Sequence, residues 1–355
     1  MFDLAVFALS LVLLTVTVFA RVRLRDWWLR ACEFPRVQIA CLAGISALLS
    51  VLIDEPWRTY SLAASIGVVV IQAWWIFPYT RLARCELQQA EPGHEERCVT
   101  LLIANVLTPN RNAKGLIDQI LEHRPDIVLT LESDDWWGEQ LHAALAEDWP
   151  IQVSIPQDNL YGMHLFSRLD IDDLEVKRLI QDDIPSIHGW VILDSGERVR
   201  LHALHPRPPS PQESETSLWR DAELLLVGRE IREQAGPALL IGDLNDVAWS
   251  RTTKLFTRVS GMLDPRRGRG MFATFHAGHR LLRWPLDHIF VTEHFTLRRM
   301  QRLKGYGSDH FPILATLCCR PSRSDENDRP EPEQGDKAAA SETIRAARAA
   351  APQAV

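Results

Sequence analysis

The stretch Gly307-Ser308-Asp309-His310-Phe311-Pro312 sets an acid beside an imidazole just ahead of an apolar run, Ile313 to Leu317. Short polar segments often precede strands, so this one alone says little. It gains weight from polar residues upstream: Asn105, Glu132, His205 before Pro206, Asp243-Leu244-Asn245, and Asp287-His288. Together they supply what hydrolysis of a phosphate ester requires. Carboxylate and amide oxygens suit a hard cation such as Mg2+, and such a cation neutralises charge on a phosphoryl group. A histidine held by a carboxylate can move a proton near neutral pH. Amide donors can hold non-bridging oxygens.

The spacing refines this list. Gly242 admits an unusual backbone ahead of Asp243. Asp243 and Asn245, two residues apart on an extended segment, face the same side. Asp287 sits within the apolar run Pro285 to Phe290, where an unpaired carboxylate would be costly; His310 is a sensible partner. His202, three residues before His205, faces elsewhere. Leu263 to Met271 is a basic, glycine-rich loop. Its Arg266, Arg267 and Arg269 are candidates to grip a second phosphate or a lipid headgroup, the plainer alternative being a solvated loop. Trp136, Trp137, Trp249 and Trp284 flank motif residues and read as core or rim rather than as base-stacking platforms.

The elements that must position these groups follow from periodicity. Val99 to Val106, Asp126 to Glu132, Met163 to Phe166, Trp190 to Leu193, Val199 to His205, Ala238 to Gly242, Leu286 to Thr292 and Ile313 to Cys318 read as strands. Ala113 to His123, Trp137 to Ala146 and Ser217 to Gln234 read as helices. The candidate residues recur where strands end. Strands with intervening helices and hairpin-like pairs predict an α/β domain with two sheets.

On these residues the chain resembles the endonuclease/exonuclease/phosphatase superfamily, whose motifs it carries in order across Cys98 to Cys319. The motifs are Asn105, Glu132, Ser167-Arg168, His205, Gly242-Asp243-Leu244-Asn245, Leu286 to Phe290 and Ser308 to Pro312. The resemblance implies a four-layer sandwich of two mixed β-sheets flanked by helices. It also implies a phosphoesterase dependent on Mg2+, with Mn2+ as the alternative. It assigns Glu132 to the metal, with Asn105 beside it and Asp309 near it. Asp243 would orient or deprotonate the attacking water, and Asn245 would hold the phosphate. His310, oriented by Asp287, would act on the scissile phosphate, and His205 would contact the phosphate or leaving group. Ser167 and Arg168 would support the sheet edge. The run Leu131-Glu132-Ser133-Asp134 departs from the Gln-Glu-Thr-Lys of abasic-site enzymes and argues against that repair activity.

The chain has 355 residues and a formal net charge of −7, which argues against a generic polyanion binder but not against a nuclease with a local groove. The first eighty residues are far more apolar than the rest. Phe2 to Ala20, Val37 to Ile53 and Tyr60 to Tyr79 read as three transmembrane helices. Residues 1–80 form a membrane domain, 81–97 a linker, 98–319 the catalytic domain and 320–355 a disordered tail in which Ala338 to Ala351 can form a transient helix. Arg21, Arg23, Arg25, Arg30 and Arg36 in the first loop place it, and the catalytic domain, on the cytoplasmic face of the membrane, and the resemblance of the three spans to a bacterial membrane-anchored subgroup of the superfamily implies a bacterial inner membrane. The inverse orientation follows if that loop lies flat in the interface. The six cysteines read as buried small hydrophobes or free thiols.

The expectation is therefore a membrane-anchored phosphoesterase. Its partners are the lipid bilayer and a lipid-linked, small-molecule or nucleic-acid phosphoester, and no protein partner is expected. The alternatives are a nuclease acting on DNA or RNA and a catalytically silent membrane scaffold.

Overall fold

The computed structural model describes residues 1–350. They divide into two compact units. One comprises Met1–Arg84 with the short segments Pro209–Ser217 and Gly268–Gly270; the other comprises the remaining residues from Cys85 onward.

The first unit holds α1 (Phe2–Phe19), α2 (Trp27–Ala31), α3 (Arg36–Ser50) and α4 (Trp57–Ile76). Leu13, Ile39, Ala43 and Val68 join α1, α3 and α4 in one cluster. Two helices are long and apolar enough to cross a membrane, Phe2–Phe19 and Trp57–Tyr79. The expected span Val37 to Ile53 is corrected: α3 has 15 residues, about 22 Å of helix against a hydrocarbon core of about 30 Å. The run stops short because 51–53 leave the helix in a turn before cis-Pro56.

The second unit is built from two mixed sheets. The first contains β1 (Cys98–Asn105), β2 (Ile127–Leu131), β3 (Ile151–Ile155), β4 (Met163–Ser167), β10 (Phe295–Arg302) and β11 (Ile313–Cys319), in the order β10-β11-β1-β2-β4-β3. The second contains β5 (Ile171–Lys177), β6 (Ser186–Ile192), β7 (Arg198–Ala203), β8 (Ala238–Asp243) and β9 (Asp287–Val291), in that order. Side-chain alternation builds the layers. Leu101 and Ile103 of β1 pack inward with Leu129, Leu201, Ile241 and Ile289 in a core between the sheets. Leu102 and Ala104 face outward onto α5 (Ala113–His123) and α6 (Asp135–Leu145) through Leu116, Ile120, Trp137 and Leu141. On the far side, α7 (Leu218–Gln234) and α8 (Arg251–Ser260) cover Leu240 and Phe290 with Leu224, Val227 and Phe256. The layers run helix, sheet, sheet, helix.

Three further expectations are corrected. Residues 87–90 are no linker: Leu87 is fully buried, and the main chain of Gln88 and Ala90 pairs with Leu297 of β10. The segment after Arg320 is ordered as far as 350. Its α9 (Asp336–Ala350) buries Ala340 and Ile344 against Leu225 and Val259, and Arg258 pairs with Asp336 at 2.6 Å. An alanine-rich segment with one apolar stripe becomes a stable helix once that stripe is covered. Residues 351–355 of the expected tail lie outside the described residues. Cys98 and Cys318, opposite each other in the β1–β11 pairing, form a disulfide, while Cys32, Cys41, Cys85 and Cys319 are in no disulfide among the described residues.

Glu223 of α7 is buried, with one carboxyl oxygen lacking a hydrogen-bond partner, and burial raises its pKa from 4.5 to about 8. Between those values the unfolded chain ionises and the folded chain does not. Stability contributed by the neutral acid is full below pH 4.5 and is lost as pH rises toward 8. Glu223→Gln should flatten that slope, a change on the order of a few kcal/mol between pH 5 and 8. Thermal melts across this range check it; parallel slopes for the two proteins would contradict it.

Candidate active site

Topology brings the candidate residues to one pole. β1 and β2 run parallel, so Asn105 and the residue after Leu131, Glu132, emerge at the same end. β11 runs antiparallel to β1, with Ile313 opposite Ile103, so the segment before it, carrying Asp309 and His310, arrives there too. In the second sheet β7 and β8 are parallel and β9 antiparallel, with Asp243 directly opposite Asp287. His205 follows β7 at the same end. The packed sheets turn these ends into one cluster.

Within it, His310 Nδ1 lies 2.8 Å from Asp287 Oδ2, and Nε2 lies 3.5 Å from Asp243 Oδ2. Asn105 Nδ2 donates to Glu132 Oε1 at 2.7 Å and to Asp243 Oδ2 at 3.1 Å. Asp243 Oδ1 accepts from the Asn245 amide N–H at 2.9 Å. The backbone is bent to make this possible. Glu132 and Asn245 have φ of 56° and 52°, left-handed values that cost about 1–3 kcal/mol each and gather at functional sites. Thr108 Oγ1 donates to the Glu132 carbonyl at 2.7 Å and holds that bend. Gly242 has φ of 142°, and a Cβ there would sit 1.9 Å from the Leu204 carbonyl oxygen.

The electrostatics follow from burial. Burial raises Glu132 and Asp243 to about 7 each, against the pull of the Asn105 amide and His310. Burial opposes a charged His310, but Asp287 and Asp243 outweigh it and raise the imidazole to about 10. Asp287 shows the reciprocal effect: burial disfavours its charge, yet His310 holds its pKa below the ordinary range. His205 is buried and neutral, its pKa lowered to about 3 by burial and then by His310. Among the described residues, its Nδ1 has no hydrogen-bond partner, and neither does Asp287 Oδ1.

Asp243, Asp287 and His310 can each offer a ligand atom within 4.8 Å of one another, a group able to hold a metal ion. Two buried carboxylates, Asp243 and Asp287, and the half-buried Glu132 face a single buried imidazolium, and the carboxylates are hard oxygen donors. That set fits a divalent cation such as Mg2+ or Mn2+. The Asp287–His310 hydrogen bond is short enough that a cation inserted there would break it.

The structure also gives positions to Tyr306, Arg220 and Asp246, to which the sequence assigned no role. Tyr306 and Ser308 hydroxyls both donate to the Asn105 carbonyl at 2.8 Å. Beneath the site, Arg220 donates to the Asn245 carbonyl at 2.8 Å and pairs with Asp246 at 3.1 Å. His288 is held between the Asp246 carbonyl, to which Nε2 donates at 2.8 Å, and Arg266 Nη2, from which Nδ1 accepts at 2.7 Å. Asp246 adjoins the Asp243–Asn245 motif and was the one available sequence signal. Arg220 lies in a helix far along the chain and gave none.

This network corrects the substrate-gripping role expected of the basic loop. Arg266 is fully buried in an ion pair with Asp264 at 2.8 Å, and Arg267 pairs with Glu86 at 2.5 Å. Arg269 belongs to the segment Gly268–Gly270 that groups with the N-terminal helices. The side chain of Asn245 donates to the Pro206 carbonyl at 3.1 Å. His202 indeed faces away, with its Nδ1 2.8 Å from that of His188. Ser167 and Arg168 bond near the strand end, to the carbonyls of Leu169 and Arg124.

The sequence pattern of the Endonuclease/Exonuclease/phosphatase family matches residues 102–310. Among solved structures, D. rerio TDP2 humanized by 14 mutations is similar at 18% identity and a TM-score of 0.52, covering 62% of this chain and 99% of that one. D. rerio TDP2 complexed with single strand DNA product gives 17% identity, a TM-score of 0.52, and coverage of 62% and 98%. An endonuclease/exonuclease/phosphatase from Bacteroides vulgatus gives 19%, 0.51, and coverage of 63% and 99%. No curated protein matches the chain.

Proposed function

Because this chain belongs to the endonuclease/exonuclease/phosphatase family and is a metal-dependent phosphoesterase, we propose that it is membrane-anchored and hydrolyses a phosphodiester or phosphomonoester by water attack at the Asp243–His310 pole. The observation that carries this reading is the buried dyad of His310 and Asp287, 2.8 Å apart and 3.5 Å from Asp243.

Glu132, Asn105 and Asp309 would hold a divalent ion, which when bound would supply neutralisation of phosphoryl charge. The protein's own groups do the rest. Asn105 fixes the two acids relative to each other. Asp243, pinned by the Asn245 amide, orients the water and accepts its proton. His310, kept cationic by Asp287, presents Nε2–H to the negative charge that grows on the phosphoryl group. Neutral His205 and the second amide hydrogen of Asn245 hold the remaining oxygens.

The test is release of product from DNA, RNA, phosphoinositides, isoprenyl pyrophosphates and a generic diester by full-length protein with Mg2+. Turnover of at least one is expected, and chelation should abolish it. No turnover across the panel would favour a silent scaffold. Nucleic acid is the second reading, favoured by the TDP2 neighbour solved with a DNA product.

Membrane anchoring is supported by an inside-out helical unit. Leu11, Val12, Leu42, Ile45, Leu48, Ile66 and Val70 are exposed, while Ser10, Thr17, Ser46, Ser65 and Gln72 are buried. The buried groups bond between helices: Ser65 to Ser46 at 3.1 Å, and Gln72 to Thr17 at 2.9 Å. Small and polar residues at the seam with apolar residues outside suit helices surrounded by lipid.

The disulfide bears on the side of the membrane. Such bonds persist in oxidising compartments, which favours an extracytoplasmic catalytic unit over the cytoplasmic one expected from loop charge. Alkylation of denatured protein should label four cysteines without reductant and all six with it. Six labels without reductant would return the domain to the cytoplasm.

A further inference from the structure

Beside the catalytic pole an ordered loop projects from Phe275 to Trp284. Its base is closed by main-chain pairing of these two residues, whose rings stack at 6.1 Å, and Phe275 lies 5.0 Å from the His310 ring. Its turn is held from within: Arg283 donates to the carbonyls of His279 at 2.7 Å and Ala277 at 3.3 Å. The Ala277 N–H ties the loop to the Asp309 carbonyl at 2.6 Å. Yet the tip of this well-held loop leaves Leu281 84% and Leu282 45% exposed.

Next to the leucines the charge is positive. Arg283 and Arg302 both lie over the ring of Phe311, the neighbour of His310, at 4.9 and 4.4 Å. Burial and the nearness of Arg283 both lower the pKa of Arg302. Neither arginine, nor Arg280, has a carboxylate partner among the described residues. Like charges held together without a counter-ion call for an anion. Leucines held in water beside them call for hydrocarbon.

We infer that the loop 275–284 is an interfacial recognition element: Leu281 and Leu282 enter the outer hydrocarbon of an anionic phospholipid bilayer, while Arg280, Arg283 and Arg302 bind its headgroup phosphates beside the site. Apolar residues flanked by arginines match such a surface in chemistry and charge. Exposed leucines have no counterpart in a nucleic-acid backbone, whose recognition rests on charge and stacking. The inference rests on the phosphoesterase reading and names its substrate class, a phosphoester presented at a lipid surface.

The test uses full-length protein reconstituted into phosphatidylcholine vesicles with or without phosphatidylglycerol, carrying a fluorogenic phosphoester lipid. Bis(p-nitrophenyl) phosphate is supplied to the same samples as a soluble diester. The expected result is a lipid-to-soluble rate ratio that rises with phosphatidylglycerol. Arg283→Gln with Arg302→Gln should lower that ratio about 30-fold, from the typical attraction of a basic residue to an anionic surface. Leu281→Ser with Leu282→Ser should lower it in both vesicle types. A ratio indifferent to phosphatidylglycerol and to both double variants would overturn the inference while soluble turnover leaves the phosphoesterase reading intact. Loss of oligonucleotide cleavage in the arginine variant, with the leucine variant unaffected, would overturn it in favour of nucleic acid. Absence of both lipid and soluble turnover in the wild type would instead remove the reading on which it rests.

Discussion

His310→Ala should lower kcat for Mg2+-dependent phosphoester hydrolysis by about 10^3-fold, within the range of positioned acid–base groups. The imidazole has two neighbours and two tasks: Nδ1 reaches Asp287 at 2.8 Å, and Nε2 points toward Asp243 at 3.5 Å. Asp287 touches the reaction only through His310, so it is a positioning residue. Asp287→Asn should therefore reduce kcat with little change in KM. Because the pair acts as a unit, the double variant should lose little more than His310→Ala alone. Full additivity of the two losses, measured by steady-state kinetics, would show that Asp287 acts independently of His310.

Glu132→Gln should raise the Mg2+ concentration needed for half-maximal activity by tenfold or more, at least the loss typical of disturbed metal-site partners. The substitution keeps the shape and the contact with Asn105 but removes a charge. Glu132 is held at the pole by a left-handed backbone, the Thr108 hydroxyl and the Asn105 amide. The metal-free variant should melt no lower than the wild type, since a carboxylate whose charge is disfavoured by desolvation has been removed. Metal titrations of activity, with melts in chelator, separate this from simple unfolding. An unchanged Mg2+ requirement would move the ion to Asp243, Asp287 and His310.

The fold was most legible where strands are central and apolar. β1, β2, β4 and β8 are fully or mostly buried, and their sequences read as continuous hydrophobic runs. The strands that escaped notice, β3, β5 and β10, all lie at sheet edges. β5 reads Ile-Asp-Asp-Leu-Glu-Val-Lys and is mostly solvated; charged edges prevent pairing with other chains and also mask the strand pattern. α8 escaped for a related reason: its Thr252, Thr253 and Thr257 are buried polar residues, not an apolar stripe. The Cys98–Cys318 bond was invisible because it depends on antiparallel register across 220 residues.

At the site, residue types and strand-end positions identified the acids and the imidazoles. Roles that depend on side-chain direction did not follow from sequence. Arg266 looked like a solvent-facing cation and is a buried strut for His288. Asn105 looked like one ligand among several and proves to bridge two acids. Arg283 and Arg302, which pair with no carboxylate among the described residues, sit on separate elements and both lie over Phe311.

The most direct test is hydrolysis of a soluble diester by full-length wild type and Asp243→Asn, each assayed with Mg2+ and with chelator. Asp243 is central because it touches Asn105, the Asn245 amide and His310 together. The prediction is turnover by the wild type that requires Mg2+ and falls at least about 10^2-fold in the variant. Equal turnover by the two proteins, or wild-type turnover that survives chelation, would contradict it.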